Sequence, residues 1–283
     1  MIQDVFGEKF RFDSSMSVVP DKDWVVHVQQ SWPPILVGHF LLRFPWHDDN
    51  DVQQVLPKTT NNIKRNKAIE LQLQGGIAFG TGEHPTTQLC LEWLHDGVQD
   101  LLQAKNDNSI IKVLDYGAGS GVLGIGACAM DRKRVQAVGI DIDVDACDIA
   151  NANAAQNCVD MRNYLPPLVE TSDPESKSLL LKAHNYAKKR LDERGQSNEK
   201  LILPLARQGA IYDVCVANIL AGPLVTLAPV VWDSVQPGGK FGLSGILSHQ
   251  GDMVVDAYRD AGFDHVKVAR ELNGWVLVTG EKR

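Results

Sequence analysis

Residues 113–121 read VLDYGAGSG: an apolar run closes on three glycines spaced two apart, and a periodic apolar segment follows. That order is strand, tight turn, helix. Glycine accepts the positive φ of a sharp turn and lets the backbone approach a ligand, while the following helix directs unbonded N–H groups at the same point. Roughly twenty residues on, the next apolar run reaches Asp141, where a carboxylate can accept both hydroxyls of a ribose. Together these features commit the chain to a parallel α/β sheet with an adenosine-type ligand at the carboxyl ends of its strands.

The rest of the chain has the rhythm this requires. KVLDY, AVGIDI, YDVCVAN and KFGLSGI are apolar almost throughout, as strands buried on both faces are. Apolar residues recur at helical spacing over 85–102 (Cys90, Trp93, Leu94, Val98, Leu101, Leu102), over 122–130, and over 144–157 (Ala146, Ile149, Ala150, Ala154). At the end, HVKVAREL and WVLVTGEK flank Asn273-Gly274, a strong hairpin signal, so an antiparallel hairpin closes a mostly parallel, doubly wound sheet. Residues 1–70 read as a short N-terminal segment and linker, with two short strands around Trp32-Pro33-Pro34 and a polar loop, KTTNNIKRNK, at 58–67. Residues 71–283 form the α/β domain. Within it, 169–208 is an insertion that the βα alternation does not need, read as a helix over 174–194 with a polar tail. Its Lys177, Lys182, Lys188, Lys189, Arg190 and Arg194 make a solvated face or a partner-binding one, the former being commoner.

Two ligands compete for the glycine loop. Gly119-Ser-Gly-Val-Leu-Gly124 satisfies the dinucleotide pattern G-x-G-x-x-G, which keeps an NAD(P)-dependent oxidoreductase in play. In the other register, Asp115, Gly117, Gly119 and Gly121 form D-x-G-x-G-x-G, the pattern of S-adenosylmethionine (AdoMet) binding; a carboxylate ahead of the loop repels a pyrophosphate and suits an ammonium. The AdoMet reading is preferred. A second cluster, AFGTGEHPTT (78–87), contributes Phe79, Thr81, Thr86 and Thr87, with Pro85 at a first helical turn whose free N–H groups favour the methionine carboxylate. In the third, ANILAGP (217–223), Asn218 ends a buried strand beside the same crevice and is the catalytic candidate, orienting the acceptor; Ser244 ends the next strand with a weaker signal. His84, Asp143 and Asp145 are read as helix caps rather than as a base or metal ligands, and no metal site is expected.

Composition narrows the partners. A formal net charge of −7 disfavours a broad electrostatic grip on nucleic acid, and no apolar stretch is long enough to span a bilayer. Cys90, Cys128, Cys147, Cys158 and Cys215 lie in apolar segments without C-x-x-C spacing, which fits reduced core thiols and a reducing compartment. The N-terminus has neither a signal peptide nor an Arg-rich presequence, so the expected location is cytoplasmic, with a mitochondrial or plastid matrix as the alternative.

AFGTGEHPTTQLCLEWL, VLDYGAGSGVLGIGA, VGIDIDVDA, VANILAGPL, GLSGIL and the closing TGEKR together resemble the PrmA family, bacterial methyltransferases acting on lysines of large-subunit ribosomal protein eleven. The resemblance implies a Rossmann-like class I methyltransferase with a seven-stranded sheet, AdoMet as cofactor, and cofactor contacts at Thr87, Gly117, Asp141 and Asn218. It also implies a protein partner, the ribosomal protein first and another lysine target such as the electron transfer flavoprotein beta subunit second. Two departures from the family pattern are expected: the segment ahead of residue 71 resembles only the linker and start of the catalytic part, without most of the family's N-terminal recognition domain, and 169–208 replaces what is typically a short connection. A non-catalytic AdoMet-binding module is the remaining alternative.

Overall fold

Apolar runs at 35–37, 40–43 and 69–72 and the longer ones after 110 pair into two sheets in the computed structural model, which describes residues 32–56, 68–74, 82–167, 174–195, 201–204 and 208–283. The first sheet has three strands, β1 (Ile35–Val37), β2 (Phe40–Arg43) and β3 (Ile69–Gln72), with helix α1 (Asp49–Val55) between the last two. β1 and β2 pair antiparallel across Gly38, whose φ is +52°, and β3 adds parallel to β2. β1 and β2 both follow Pro34, and the strand expected ahead of the Trp-Pro-Pro break lies outside the described residues. Proline has no N–H to give a ladder, and the hairpin starts once both prolines are passed. The loop expected at 58–67 lies outside the described residues. The division expected at residue 70 falls inside β3, and Pro33–Arg283 forms one compact unit.

The second sheet has seven strands: β4 (Ile111–Tyr116), β5 (Val135–Ile140), β6 (Met161–Tyr164), β7 (Tyr212–Asn218), β8 (Val235–Leu247), β9 (Asp264–Leu272) and β10 (Trp275–Glu281). Their order is β6-β5-β4-β7-β8-β10-β9, and only β10 runs against the rest. This is the doubly wound, mostly parallel sheet with an antiparallel end that the sequence implied. The Asn273-Gly274 turn has φ of +51° and +80°, as the hairpin reading requires. From β4 the chain steps outward to β5 and β6, then crosses back to β7 on β4's other side. A crevice therefore opens at the carboxyl ends of β4 and β7, where Tyr116 pairs with Ala217 and the next residues are Gly117 and Asn218.

The helices follow from their caps and apolar stripes. α2 (Pro85–Ala104) has Pro85 at its first position and buries Leu89, Cys90, Leu91, Leu94 and Val98. α3 (Val122–Met130) is buried almost throughout; α4 (Val144–Gln156) is capped by the Asp143 side chain on the N–H of Asp145. α5 (Pro174–Glu193) occupies the expected insertion, and α6 (Ala221–Ser234) and α7 (Gly251–Asp260) complete the layers. Four cysteines are buried as expected. Cys158 is not: it sits beyond α4 at a φ of +54° and is exposed. Among the described residues no helix is long and apolar enough to cross a membrane.

The two sheets are fastened through α4. The Asn157 side chain accepts the N–H of Gln72 (2.9 Å) and donates to the carbonyls of Gln72 (2.6 Å) and Asn153 (2.8 Å). Asn153 accepts the N–H of Gln74 (2.8 Å) and donates to the carbonyl of Ser120 (2.9 Å), joining the end of β3 to the glycine loop. Asn157→Ala is expected to lower the unfolding free energy by about 2–3 kcal/mol, because it removes these bonds and leaves backbone groups without partners. Urea unfolding of the full chain measures it; a loss under about 0.5 kcal/mol contradicts the fastening role.

Candidate functional site

The glycine loop takes its shape from backbone that only glycine adopts readily. Gly117, Gly119 and Gly121 have φ of +77°, +54° and +79°. A Cβ on Gly117 would also lie 2.2 Å from Cγ2 of Ile219, so a larger residue there collides with the chain leaving β7. The N–H groups of Gly117 and Ala118 both donate to the carbonyl of Ile140 (2.7 and 3.1 Å), folding the loop against the end of β5.

Two carboxylates fix the loop, and they do different work. Asp141 accepts the N–H of Gly119 on Oδ2 (2.8 Å) and the N–H of Asp143 on Oδ1 (3.0 Å). Each oxygen keeps lone-pair capacity for a further donor, so an oriented carboxylate stands ready for a diol. Burial raises the Asp141 pKa, and the N–H bonds from Asp143 and Gly119 oppose that rise. Asp115 lies elsewhere than the sequence reading placed it. Rather than facing a ligand ammonium, it is fully buried behind the loop, outside the cavity wall, and Oδ2 accepts the N–H of Gly124 in α3 (2.9 Å) while Oδ1 has no partner among the described residues. Gly121 is also absent from the wall; it is the left-handed residue that starts α3. Side chains alternate along β4, so Tyr116 reaches the cavity while Asp115 points to the other face under α3, and Gly121 starts that helix, which is why both act on the loop and not through it.

The wall itself encloses about 750 Å³. It is built from the start of α2 (His84, Thr86, Thr87), the loop at Gly117, Ala118 and Gly119, the end of β5 (Asp141, Ile142), and Asn218, Ile219 and Leu220 after β7. Asn218 donates from Nδ2 to Oγ1 of Thr87 (3.3 Å), while its Oδ1 is buried without a hydrogen-bond partner among the described residues. An unpaired buried acceptor on a cavity wall is a place for a ligand donor. Phe79 and Thr81 lie outside the described residues.

His84 is the N-cap of α2, with Nδ1 2.7 Å from Oγ1 of Thr86, and its ring meets Trp275 edge-on at 4.8 Å. Ser244 is fully buried and donates to the carbonyl of Val276 (2.9 Å), a bond that holds β8 to β10 and leaves it off the wall. Sequence reasoning missed Tyr116, Pro166 and Trp275, and above all Leu179, Leu180, Lys182, Ala183 and Tyr186 of α5, all of which line the cavity. The signal for α5 was present: Leu179, Ala183 and Tyr186 recur at one-turn spacing in an otherwise charged helix. Among the described residues no group of His, Cys, Asp and Glu can hold a metal ion.

The wall fits AdoMet better than a dinucleotide. In the G-x-G-x-x-G register the N–H groups of the first and third glycines, Gly119 and Gly124, are both committed to carboxylates, which leaves a pyrophosphate few donors and two acidic neighbours. At the start of α2 Pro85 has no N–H, and the N–H groups of Thr86 and Thr87 donate to His84, to its Nδ1 (3.4 Å) and its carbonyl (3.0 Å), so what suits one carboxylate there is the helix's positive end and the Thr87 hydroxyl rather than free backbone donors.

A family model described as ribosomal protein L11 methyltransferase (PrmA) matches residues 2–283. Among curated proteins, one named ribosomal protein L11 methyltransferase from Nitrosomonas europaea is 35% identical over 287 residues, covering 99% of this chain and 73% of that one. Another of the same name from Pseudomonas savastanoi pv. phaseolicola is 38% identical over 272 residues, covering 96% and 72%. A solved structure, ribosomal protein L11 methylase from Lactobacillus delbrueckii subsp. bulgaricus, has the same fold, with a TM-score of 0.57 and 22% identity over 89% of this chain and all of that one.

Burial, with the nearby Asp141 charge adding to it and the Gly124 N–H opposing it, pushes the Asp115 carboxyl up to about 7. The folded chain therefore holds a proton that the unfolded chain releases near its ordinary pKa of 3.8, and stability falls as pH rises from there through 7. Asp115→Asn removes that slope while its amide oxygen can still accept from Gly124. Its melting temperature relative to the unmodified chain is expected to climb between about pH 5 and about pH 8, measured by calorimetry. A difference that stays flat across that window contradicts the titration of this group.

Proposed function

This chain belongs to the ribosomal protein L11 methyltransferase (PrmA) family, and we propose that it transfers the methyl group of AdoMet to lysine side chains of that ribosomal protein. The observation that carries the reading is the meeting of Thr87 and Asn218 in one cavity with the glycine loop and Asp141, leaving Asn218 Oδ1 unpaired. In this proposal the compact unit Pro33–Arg283 carries the catalytic domain read from the sequence as 71–283, with 169–208 an insertion in it, and 1–70 is the segment and linker that lead into it. The cytoplasm is the proposed compartment, in keeping with unpaired cysteines.

Each part of the wall has a task. The positive end of α2, with the side chains of Thr86 and Thr87, receives the carboxylate of the methionine half, and the Asp141 oxygens receive the ribose hydroxyls. Phe79 and Thr81 belong to the same proposal through their place in the AFGTGEHPTT motif. Gly117 and Gly119 let the backbone pass close to the ligand, while Asp115 and Gly121 keep the loop in that shape. When bound, AdoMet would supply an electrophilic methyl carbon: in-line attack by a neutral amine would form the N–C bond as the C–S bond breaks, with S-adenosylhomocysteine as the leaving group. The residues around it bear on the amine. A free lysine has a pKa of ~10.4, so only ~0.1% is neutral near pH 7.4, a cost of about 4 kcal/mol. The apolar wall around Tyr116, Ile219 and Trp275 disfavours the ammonium form and lowers that cost. Asn218 Oδ1 accepts an N–H of the neutral amine and thereby aims its lone pair. His84 is engaged as a helix cap, so the amine's proton leaves to water before attack.

Purified full chain, AdoMet and ribosomal protein L11 are expected to give methylated lysine peptides by mass spectrometry; no labelling of L11 by a chain that binds AdoMet overturns the substrate. Asn218→Ala is expected to reduce kcat by about 10²-fold while AdoMet still binds, the size of effect seen when one positioned hydrogen-bonding group is lost. Near-normal turnover in that variant contradicts the role given to Asn218.

A further inference from the structure

α5 lies in the segment read from the sequence as an insertion, which in the structure is the crossover from β6 to the parallel strand β7, and it spans the crevice between the helices that follow Asn218 and Asp141. Near its start, Ser176 donates to the carbonyl of Thr226 in α6, the helix that follows Asn218. Near its end, Arg190 pairs with Asp145 (3.5 Å), and Arg194, just past the last turn, pairs with Asp145 and with Asp148 (2.8 Å). Both aspartates belong to α4, the helix that follows Asp141. Apolar packing repeats the pattern: Leu180 is buried in the same core cluster as Leu224 and Leu227 of α6, while Ala187 and Leu191 share a smaller one with Val144 and Cys147 of α4. In the middle, His184 Nδ1 lies 3.1 Å from the carbonyl of Pro166, just beyond β6. The helix is a strap tied at both ends, and between the ties Leu179, Ala183 and Tyr186 line the cavity.

The rest of the wall assigns what the strap faces. With the carboxylate of AdoMet at the start of α2 and the ribose at Asp141, the base lies beyond Asp141 and away from α2. On the β6 side of Asp141 the lining residues are Ile142, Pro166 just beyond β6, and α5, which is tied to Pro166 and to α4. We propose that α5 forms the nucleobase side of the methyl-donor site, with Leu179, Ala183 and the Tyr186 ring as its apolar contact surface and the Arg190 and Arg194 pairs holding it at a fixed distance. This rests on the AdoMet reading of the cavity. Two of the six basic residues that suggest a partner-binding face, Arg190 and Arg194, are spent on α4 carboxylates, which leaves this helix better fitted to closing the site than to gripping a partner.

The test is calorimetry and steady-state kinetics on the full chain. Tyr186→Ala, and separately Arg190→Gln with Arg194→Gln, are expected to weaken S-adenosylhomocysteine and 5′-methylthioadenosine by a similar factor, roughly tenfold for loss of an aromatic base contact. Both probes carry the nucleoside and only the first carries the amino-acid half. KM for AdoMet is expected to rise while kcat at saturating AdoMet and KM for the protein acceptor stay put, a split that general loosening of the fold does not give. Unchanged affinity for both probes, or a rise confined to the acceptor's KM, overturns the inference while leaving the AdoMet reading intact. Failure of the unmodified chain to bind either probe overturns both.

Discussion

The hold of two buried carboxylates on one glycine loop is the constraint on which the rest of the structure turns. Asp115 takes the N–H of Gly124 and Asp141 takes that of Gly119, so the turn between β4 and α3 is gripped from behind and from the side. Loop geometry of this kind cannot be left to glycine alone, since the same freedom that admits a positive φ gives the unfolded chain many alternatives. Asn153 adds a third grip on the carbonyl of Ser120 and passes it to β3, so the small three-stranded sheet braces the ligand loop at a distance. A fold whose first sheet looks peripheral in sequence thus uses it as a support for the site.

Much of this was legible in the residues because each feature has a local cause. β4 and its loop, the full span of α3, β7 and the Asn273-Gly274 hairpin all rest on composition that backbone physics restricts: apolar runs for central strands, glycine for positive φ, Asn-Gly for a tight reversal. Asn218 was legible as well, because a polar residue ending an apolar strand has few structural reasons to be there. Asp115 was placed on the wrong side of its loop, since sequence gives the order of residues along a strand but not which side of the following turn a side chain takes. Ser244 misled for a related reason: its strand ends in the crevice, but the side chain finds a carbonyl of the neighbouring β10 and stays in the sheet.

The harder part concerned segments whose partners are distant. β1, β2 and β3 are only three or four residues long, and what stabilises them is burial of Phe40, Leu42 and Leu71 and side-chain bonds from a helix some eighty residues on. No local pattern carries that information. α5 is the converse case, since the helix itself was plain from its periodicity but its position was not. Its charges read as a solvated surface, yet Arg190 and Arg194 find carboxylates on α4, and the apolar residues Leu179, Ala183 and Tyr186 ahead of them face a cavity. Charge on a helix is a statement about what the face can pair with, and only the fold decides whether that is water, a partner or the protein itself.

Acceptor and donor place opposite demands on a single cavity. The amine must be neutral, which requires apolar walls and little water, while the donor carries a carboxylate, an ammonium and a ribose that require polar seats. The wall satisfies both by segregation. Its polar groups are the threonine side chains at the start of α2, the Asp141 carboxylate and the Asn218 amide, each held by another part of the protein, and apart from His84 and Lys182 most of the remainder is apolar. Asn218 stands at the boundary, with its nitrogen bound to Thr87 on the polar side and its oxygen unpaired. An amide is suited to that position where a carboxylate is not. It accepts a hydrogen bond from a neutral amine without the negative charge that would stabilise the ammonium form and remove the nucleophile.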